Sequence, residues 1–179
     1  YRGYRIAGQP PVSQGYVVLG QLNIAAGYDL AESGFGAPDT VHAMIEAKKL
    51  AFADRHGNLG DPEHVDFDIE QLLSAEFAEQ RRAQIDPDRA THGPPPGDVN
   101  AGSDTTVMAA VDAEGNAITF IQSLFEGFGC GVIADGTGVV LNNRMTGFSL
   151  DPAAPNYLQP GKRTMHTLNT YMVLLDGRP

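Results

Sequence analysis

TTVMAAVDAEGNAITFIQS, residues 105–123, consists of two apolar runs on either side of a polar turn. The pattern predicts a β-hairpin with strands at Val107–Val111 and Ala117–Ser123. The preceding PDRATHGPPPGDVNAGS, residues 87–103, is rich in Pro, Gly and polar residues and cannot hold a helix or a central strand. Asp104-Thr105-Thr106 is therefore expected where a mobile connection meets a buried strand.

A hydroxyl residue at this junction is a candidate nucleophile. If the bond between Asp104 and Thr105 were cut, Thr105 would carry its hydroxyl together with a free α-amine that could act as general base. Thr is also a good strand former, and residue type alone favours that structural role. Ser123, at the end of the second strand, could hydrogen-bond Thr105 across the pair or satisfy a backbone group.

The rest of the chain predicts helices first and strands later. We expect a short strand in residues 1–8 and then three helices: from a Ser13 cap to near Gly27, from an Asp39 or Thr40 cap to about Arg55, and from about Ile69 to Ile85. Beyond the hairpin, Val139–Leu141 reads as a short buried strand and Asn169–Leu175 as another. This order indicates the α+β class, with helices and strands in separate layers.

Composition limits the function. The 179 residues suit one domain, and 22 acidic against 12 basic residues give a formal charge of −10. Such a surface repels phosphate backbones, so we expect no nucleic-acid partner. One cysteine, Cys130, allows no internal disulfide, and the five histidines are not spaced as metal ligands, so we expect no metal site. No apolar run reaches the ~18 residues of a membrane span and no signal peptide is visible, which leaves the compartment open, periplasmic or secreted as well as cytoplasmic.

Other candidate motifs have plainer interpretations. Gly127–Gly131 lacks the glycine spacing of phosphate-binding loops, which favours a tight turn. Ser13 precedes a helix without an apolar strand before it, so a helix cap is preferred to a nucleophile elbow. Cys130 lies in a turn with no basic neighbour, so a reactive thiol is not expected. For His166, which precedes Thr167, a role in a binding pocket and a structural role as a hydrogen-bonded histidine are equally consistent with the sequence.

Several phrases nevertheless occur together in a characteristic order. They are LNIAAGYDL (22–30), HAMIEAKKLAFADR (42–55), LGDPEHV (59–65), DTT (104–106), VDAEGNAIT (111–119), FGCGV (128–132), GVVLNNRM (138–145), FSLDP (148–152) and GKRTMHTL (161–168). Through these phrases nearly the whole chain resembles γ-glutamyltranspeptidase and its acylase relatives, which belong to the N-terminal-nucleophile hydrolases. The resemblance makes Thr105 a nucleophile rather than a plain strand residue.

The resemblance implies an αββα sandwich built from one precursor that cleaves itself before the threonine. Residues 1–104 then resemble the end of a large subunit, with 87–104 as a mobile processing loop, and 105–179 resemble the start of a small subunit. Together they would form part of one catalytic domain. The arginine that grips the substrate carboxylate and the Gly-Gly oxyanion pair of the family are expected before Tyr1 and after Pro179. A polypeptide of this extent alone should therefore be inactive.

The resemblance also assigns roles to single residues. Asp104–Thr105 matches the processing bond, Thr105 the nucleophile and Thr106 the residue after it. Ser123 stands where the family has a threonine whose hydroxyl contacts the nucleophile. His166 and Thr167 fall on a Ser-Ser pair that binds the substrate carboxylate, and they retain hydrogen-bonding groups there.

Other positions depart from the family pattern. Val107 replaces a common His, and Phe125 stands in place of an Asn. Arg144 replaces a Gln, and Gly147 replaces the acidic residue that pairs with the substrate α-ammonium. Losing a carboxylate and gaining a guanidinium should favour an acyl group that carries a carboxylate, or an apolar one, over the zwitterionic end of glutamate.

The implied reaction is hydrolysis or transfer of a γ-glutamyl amide, such as glutathione, through a threonine ester, with water or an amine as acceptor. No cofactor is required. The departures from the family pattern at the predicted substrate-binding positions are also consistent with a second function, that of a cephalosporin or glutaryl-type acylase. They are consistent as well with a third alternative, a protein that serves as a scaffold and has no catalytic activity.

Overall fold

The computed structural model describes residues 1–92 and 105–179, so Asp104 and most of the predicted processing loop lie outside the described residues. Helices occupy the first half of the chain and most strands the second. The elements are β1 (Arg5–Gly8), α1 (Gly15–Ala25), α2 (Leu30–Ser33), α3 (Pro38–Asn58), α4 (Ile69–Leu72), α5 (Ala75–Arg82), β2 (Thr105–Val111), β3 (Ala117–Ser123), β4 (Ile133–Ala134), β5 (Val139–Val140), a 3₁₀ helix (Arg144–Gly147) and β6 (Tyr171–Leu174). This confirms a mixed α+β chain.

The buried core lies between the helices. α1 packs against α3 and α5, which buries one cluster around Tyr16, Val17 and Leu59 and a second around Ile24 and Ala47. Small residues on α3 allow α1 and α3 to approach each other closely. Ala47 is accordingly only 1% exposed. The helical half therefore contains both buried apolar clusters of the described residues.

Arginine side chains of α5 fasten this helix to its neighbours. The Arg82 guanidinium donates to the carbonyl oxygens of Ile24 (2.9 Å) and Asn23 (3.1 Å), which satisfies backbone acceptors at the end of α1. Arg81 forms an ion pair with Asp54 of α3, whose carboxylate is buried. These contacts fix α5 relative to both longer helices.

The helix boundaries correct two predictions. The third helix is not continuous from Ile69 to Ile85, because the Ser74 hydroxyl accepts a hydrogen bond from the Phe77 amide (3.1 Å) and starts α5 as a separate helix. α3 is capped neither by Asp39 nor by Thr40, since it begins at Pro38 after Ala37. The Thr40 hydroxyl instead donates to the Gly34 carbonyl (2.9 Å).

Six strands form three separate antiparallel pairs in the described part of the chain. β1 pairs with β6, with Arg5 opposite Leu174 and Gly8 opposite Tyr171, so the first and last strands lie side by side. β2 and β3 form the predicted hairpin, which is confirmed. The turn is closed by the Asp112 carboxylate, which accepts from the Glu114 (3.0 Å) and Asn116 (2.8 Å) amides.

The strands are more exposed than predicted. Every residue of β2 is exposed, so the prediction of a buried strand after Asp104 is wrong for this stretch. Val139, predicted to be buried, is 57% exposed. Two-stranded sheets bury little surface unless another layer covers them. Within residues 1–92 and 105–179, β2 and β3 pair only with each other, and the αββα sandwich stays a prediction.

Candidate active site

The hairpin brings Thr105 and Ser123 together. Thr105 is the first residue of β2 and pairs directly with Ser123, the last residue of β3, while Thr106 pairs with Gln122. The Ser123 hydroxyl oxygen accepts a hydrogen bond from the Phe125 amide (2.9 Å). Phe125 has a φ of +83°, a left-handed conformation that large side chains rarely adopt, and this hydrogen bond helps to hold it.

The 3₁₀ helix is fastened to the chain that follows β3. The Asn143 amide donates to the Leu124 carbonyl (3.2 Å), and the Asn143 side chain exchanges hydrogen bonds with the Glu126 amide (3.1 Å) and carboxylate (2.7 Å). These bonds place the Arg144 guanidinium over the Phe125 ring, 5.3 Å from its centroid. Phe125 and Arg144, both predicted substrate-binding residues, are thus in contact.

Arg144 has no acidic partner among the described residues. Burial lowers the pKa of its guanidinium, which nevertheless remains charged at neutral pH. The half-buried cation is therefore compensated by the Phe125 ring rather than by a carboxylate. Such a group attracts an anionic ligand more strongly than an ion-paired arginine does.

Gly147, at the end of the 3₁₀ helix, lies in a position that tolerates a side chain. A Cβ atom there would meet the Thr164 hydroxyl at 3.4 Å and the Met165 carbonyl at 3.7 Å, which are ordinary contacts. The buried Asn156 side chain holds this turn by donating to the Gly147 carbonyl (2.7 Å) and accepting from the Met165 amide (3.0 Å). A Cβ atom therefore fits at position 147 without displacing these neighbours.

His166 and Thr167 lie in an irregular segment next to the start of α1. The His166 amide donates to the Val12 carbonyl and its carbonyl accepts from the Gln14 amide, both at 3.1 Å. Burial and then the positive charge of Arg144 lower the pKa of His166 from its ordinary value, against an opposing backbone interaction with Leu168. The imidazole is therefore neutral at physiological pH. Thr167 is exposed.

A cleft of about 670 Å³ lies among the segment before α1, β3, the start of the 3₁₀ helix and residues 163–168, whereas Thr105, Ser123, Phe125, Gly147 and Thr167 do not line it. Its volume suits a small-molecule ligand. The residues that matter for its chemistry come from both halves of the chain: Pro11, Ser13, Ile121, Arg144, Arg163 and His166. Ile121 lies on β3, two residues before Ser123. The cleft wall therefore includes part of the strand that pairs with Thr105.

A buried ion pair that the sequence reasoning missed supports one wall of the cleft. The Asp61 carboxylate, 1% exposed, accepts hydrogen bonds from the Arg163 backbone amide (2.8 Å), Nε (3.0 Å) and Nη2 (2.6 Å). Hydrogen bonds from Arg163 hold the pKa of Asp61 far below its usual range despite burial. The exposed Glu63 adds a weaker contact to Arg163 at 3.2 Å. The positive charge of Arg163 is thus neutralised by Asp61, whereas Arg144 has no acidic partner among the described residues.

Sequence signals for these additional residues existed but were incomplete. Asp61 and Arg163 lie in the phrases LGDPEHV and GKRTMHTL, yet a separation of 102 residues gives no hint of their pairing. Ser13 was read only as a helix cap. It precedes the actual N-cap Gln14, and its hydroxyl donates to the Leu168 carbonyl (2.7 Å).

The remaining candidate motifs have structural explanations. Gly127–Gly131 is a tight turn, with positive φ angles at Phe128, Gly129 and Gly131. Cys130 is exposed. Across the described ranges, no group of three or more His, Cys, Asp or Glu side chains is arranged to hold a metal ion. In the same ranges, no helix combines the length and apolar character needed to cross a bilayer.

Comparison with known proteins identifies the family. The γ-glutamyltranspeptidase family model matches residues 1–179. The chain is 42% identical, over its whole length, to the glutathione hydrolase-like YwrD proenzyme of Bacillus subtilis and covers 33% of that protein. It is 38% identical to the acylase ACY 1 proenzyme of Pseudomonas sp. strain SE83, with 99% of this chain and 32% of the relative covered.

Solved structures agree with the sequence relatives. The crystal structure of cephalosporin acylase from Bacillus halodurans superposes with a TM-score of 0.87 at 41% identity, over 100% of this chain and 32% of that one. The chain thus spans about a third of the length of the relatives it matches. One of these relatives is named as a glutathione hydrolase-like protein and two as acylases, and the two sequence relatives are called proenzymes. This chain belongs to the γ-glutamyltranspeptidase family.

Proposed function

We propose that the protein is an amide hydrolase and acyltransferase in which Thr105 is the nucleophile, released by cleavage of the Asp104–Thr105 bond. The observation that carries the proposal is the register of the hairpin, in which Thr105 begins β2 opposite the Ser123 hydroxyl residue. Membership of a family whose relatives are named proenzymes supports the cleavage. Residues 1–104 and 105–179 then belong to the large and small subunits, and the β1–β6 pair joins both into one domain.

In the proposed reaction, the Thr105 hydroxyl oxygen attacks the amide carbonyl carbon while the Thr105 α-amine takes the hydroxyl proton. The carbon–nitrogen bond then breaks, and the α-amine returns the proton to the leaving amine. Water or an acceptor amine attacks the threonine ester, which frees the acyl group and restores the hydroxyl. Ser123 would orient Thr105, and Thr106 would continue the strand that holds it.

Arg144 and Gly147 favour a glutaryl-type acylase as the second candidate function. The cleft contains a cation with no acidic partner among the described residues, and position 147 lacks a carboxylate that could bind an ammonium group. A dicarboxylic acyl group supplies one anion to Arg144 and no cation. A γ-glutamyl group would bring an α-ammonium close to a positive site, which costs binding energy.

The two candidates are separated by hydrolysis of a γ-glutamyl anilide and a glutaryl anilide under identical conditions, using the protein at its full natural length. We expect both anilides to be cleaved, with the higher kcat/KM for the glutaryl compound. Cleavage of neither substrate would contradict the hydrolase proposal and leave a scaffold without catalysis. A strong γ-glutamyl preference would instead contradict the assignment of specificity to Arg144 and Gly147.

The double substitution Arg144→Gln with Gly147→Asp should reverse this preference. Removing one charge-assisted contact and adding an ammonium partner should lower the glutaryl to γ-glutamyl ratio of kcat/KM on the order of 10- to 100-fold. Steady-state kinetics with both anilides measures the ratio. Arg89→Gln, which removes an exposed arginine outside the cleft, is the matched control and should leave the ratio unchanged.

A further inference from the structure

The cleft wall at His166 and Leu168 contacts a short segment from the other half of the chain. Residues 162–165 and 167–170 have no regular secondary structure, so hydrogen bonds to other segments hold them in place. Ser13 and His166 form an isolated parallel bridge, made by the Gln14 amide to the His166 carbonyl and the His166 amide to the Val12 carbonyl. The backbone on the N-terminal side of Thr167 is thus fixed by residues 12–14.

The Ser13 hydroxyl fixes the other side of Thr167. It donates to the Leu168 carbonyl at 2.7 Å and accepts from the Gly15 amide at 3.2 Å, so its donor and one acceptor site are both used. Ser13 is only 1% exposed, so removing its hydroxyl would leave the Leu168 carbonyl and the Gly15 amide without this partner. The Ser13 side chain therefore connects the start of α1 to the residue after Thr167.

We propose that Ser13 is a positioning residue for substrate binding, which acts by holding His166 and Leu168 in the cleft wall on either side of Thr167. This rests on the proposed function and on the predicted role of His166 and Thr167 in binding the substrate carboxylate. The role follows from the geometry because both neighbours of Thr167 are held from residues 12–14, while Thr167 itself is exposed. Ser13 lies before the proposed cleavage bond, so each proposed subunit contributes to the same binding wall.

Ser13→Ala tests the proposal in the protein at its full natural length. Thr40→Val is the matched control, because Thr40 is also buried (6% exposed) and its hydroxyl also donates to a backbone carbonyl, that of Gly34 at 2.9 Å. Both variants lose one such bond, and Ser13→Ala also loses the bond from the Gly15 amide, so it should lose somewhat more thermal stability than Thr40→Val. Only Ser13→Ala should raise KM for the preferred anilide, by about fivefold with little change in kcat.

Hydrogen exchange of the segment 162–168 gives a second readout that does not need catalysis. Ser13→Ala should speed exchange of the His166 amide by about fivefold, because the bridge to Val12 loses its neighbouring bond. Thr40→Val should leave that exchange at the wild-type rate. If wild type hydrolyses neither anilide, the proposed function fails, and the exchange rates still decide whether Ser13 holds this wall. Unchanged KM or unchanged exchange in Ser13→Ala would overturn the proposal.

Discussion

Thr105→Ala should abolish both cleavage of the Asp104–Thr105 bond and amide hydrolysis in the protein at its full natural length. The substitution removes the attacking hydroxyl of the precursor, so the α-amine that would serve as general base is never released. Loss of the nucleophile from a catalytic unit of this kind lowers the rate on the order of 10⁴-fold or more. Intact mass and the rate of anilide hydrolysis measure the two effects.

Two further variants make the Thr105 experiment specific. Thr105→Ser keeps a hydroxyl and an α-amine at the same position, so cleavage and hydrolysis should persist at reduced rates. Thr119→Ala removes a strand threonine from the same hairpin, opposite Ala109 and away from the Ser123 pair, and both activities should remain. Hydrolysis by Thr105→Ala at the wild-type rate would refute the assignment of the nucleophile.

Asp61→Asn should produce the largest loss of stability among substitutions outside the reacting groups. The substitution removes the charge that accepts three hydrogen bonds from Arg163. Breaking a fully buried ion pair costs about 3–5 kcal/mol, but the Arg163 side chain is 55% exposed and solvent compensates part of its charge. We therefore expect a loss of about 2–3 kcal/mol, measured by thermal or denaturant unfolding.

Glu63→Gln is the matched control for Asp61→Asn. It removes another acidic partner of the same Arg163 side chain, at 3.2 Å, but the Glu63 side chain is 74% exposed. A solvated pair contributes little, so stability should hardly change. Equal losses in both variants would show that burial of Asp61 is not the reason for its contribution.

The contribution of Asp61 should also depend on pH in a defined direction. Its pKa in the folded state lies below the value of about 3.9 for an unperturbed aspartate, so the unfolded chain binds the proton more readily. The stabilisation is therefore complete above that value and is lost as the pH falls below it. The stability difference between wild type and Asp61→Asn should accordingly shrink below about pH 4.

The hairpin was predictable because its signals are local. Two apolar runs and the turn at Asp112–Asn116 define both strands; the structure confirms Ala117–Ser123 without change and begins the first strand at Thr105 instead of Val107. The same local reasoning failed for the third helix, where no Gly or Pro interrupts the pattern and a single side-chain cap at Ser74 divides it. A hydroxyl side chain that competes for a backbone amide is a weaker sequence signal than a proline.

Interactions between distant segments were the part of the site that sequence reasoning could not supply. Arg144 and Phe125 were both singled out, but their contact depends on the Asn143 bonds that join the 3₁₀ helix to the end of β3. The roles of Asp61 and Ser13 depend on partners more than 100 residues away. Residue patterns predict elements and candidate groups, whereas these pairings arise only from the folded arrangement.

The central claim, that Thr105 becomes an N-terminal nucleophile, is tested most directly by the intact mass of the purified wild-type protein at its full natural length. The account predicts two polypeptides, the smaller of which begins at Thr105, and a single uncut polypeptide for Thr105→Ala. A wild-type protein that remains one chain after long incubation, or that is cut at another bond, would contradict it.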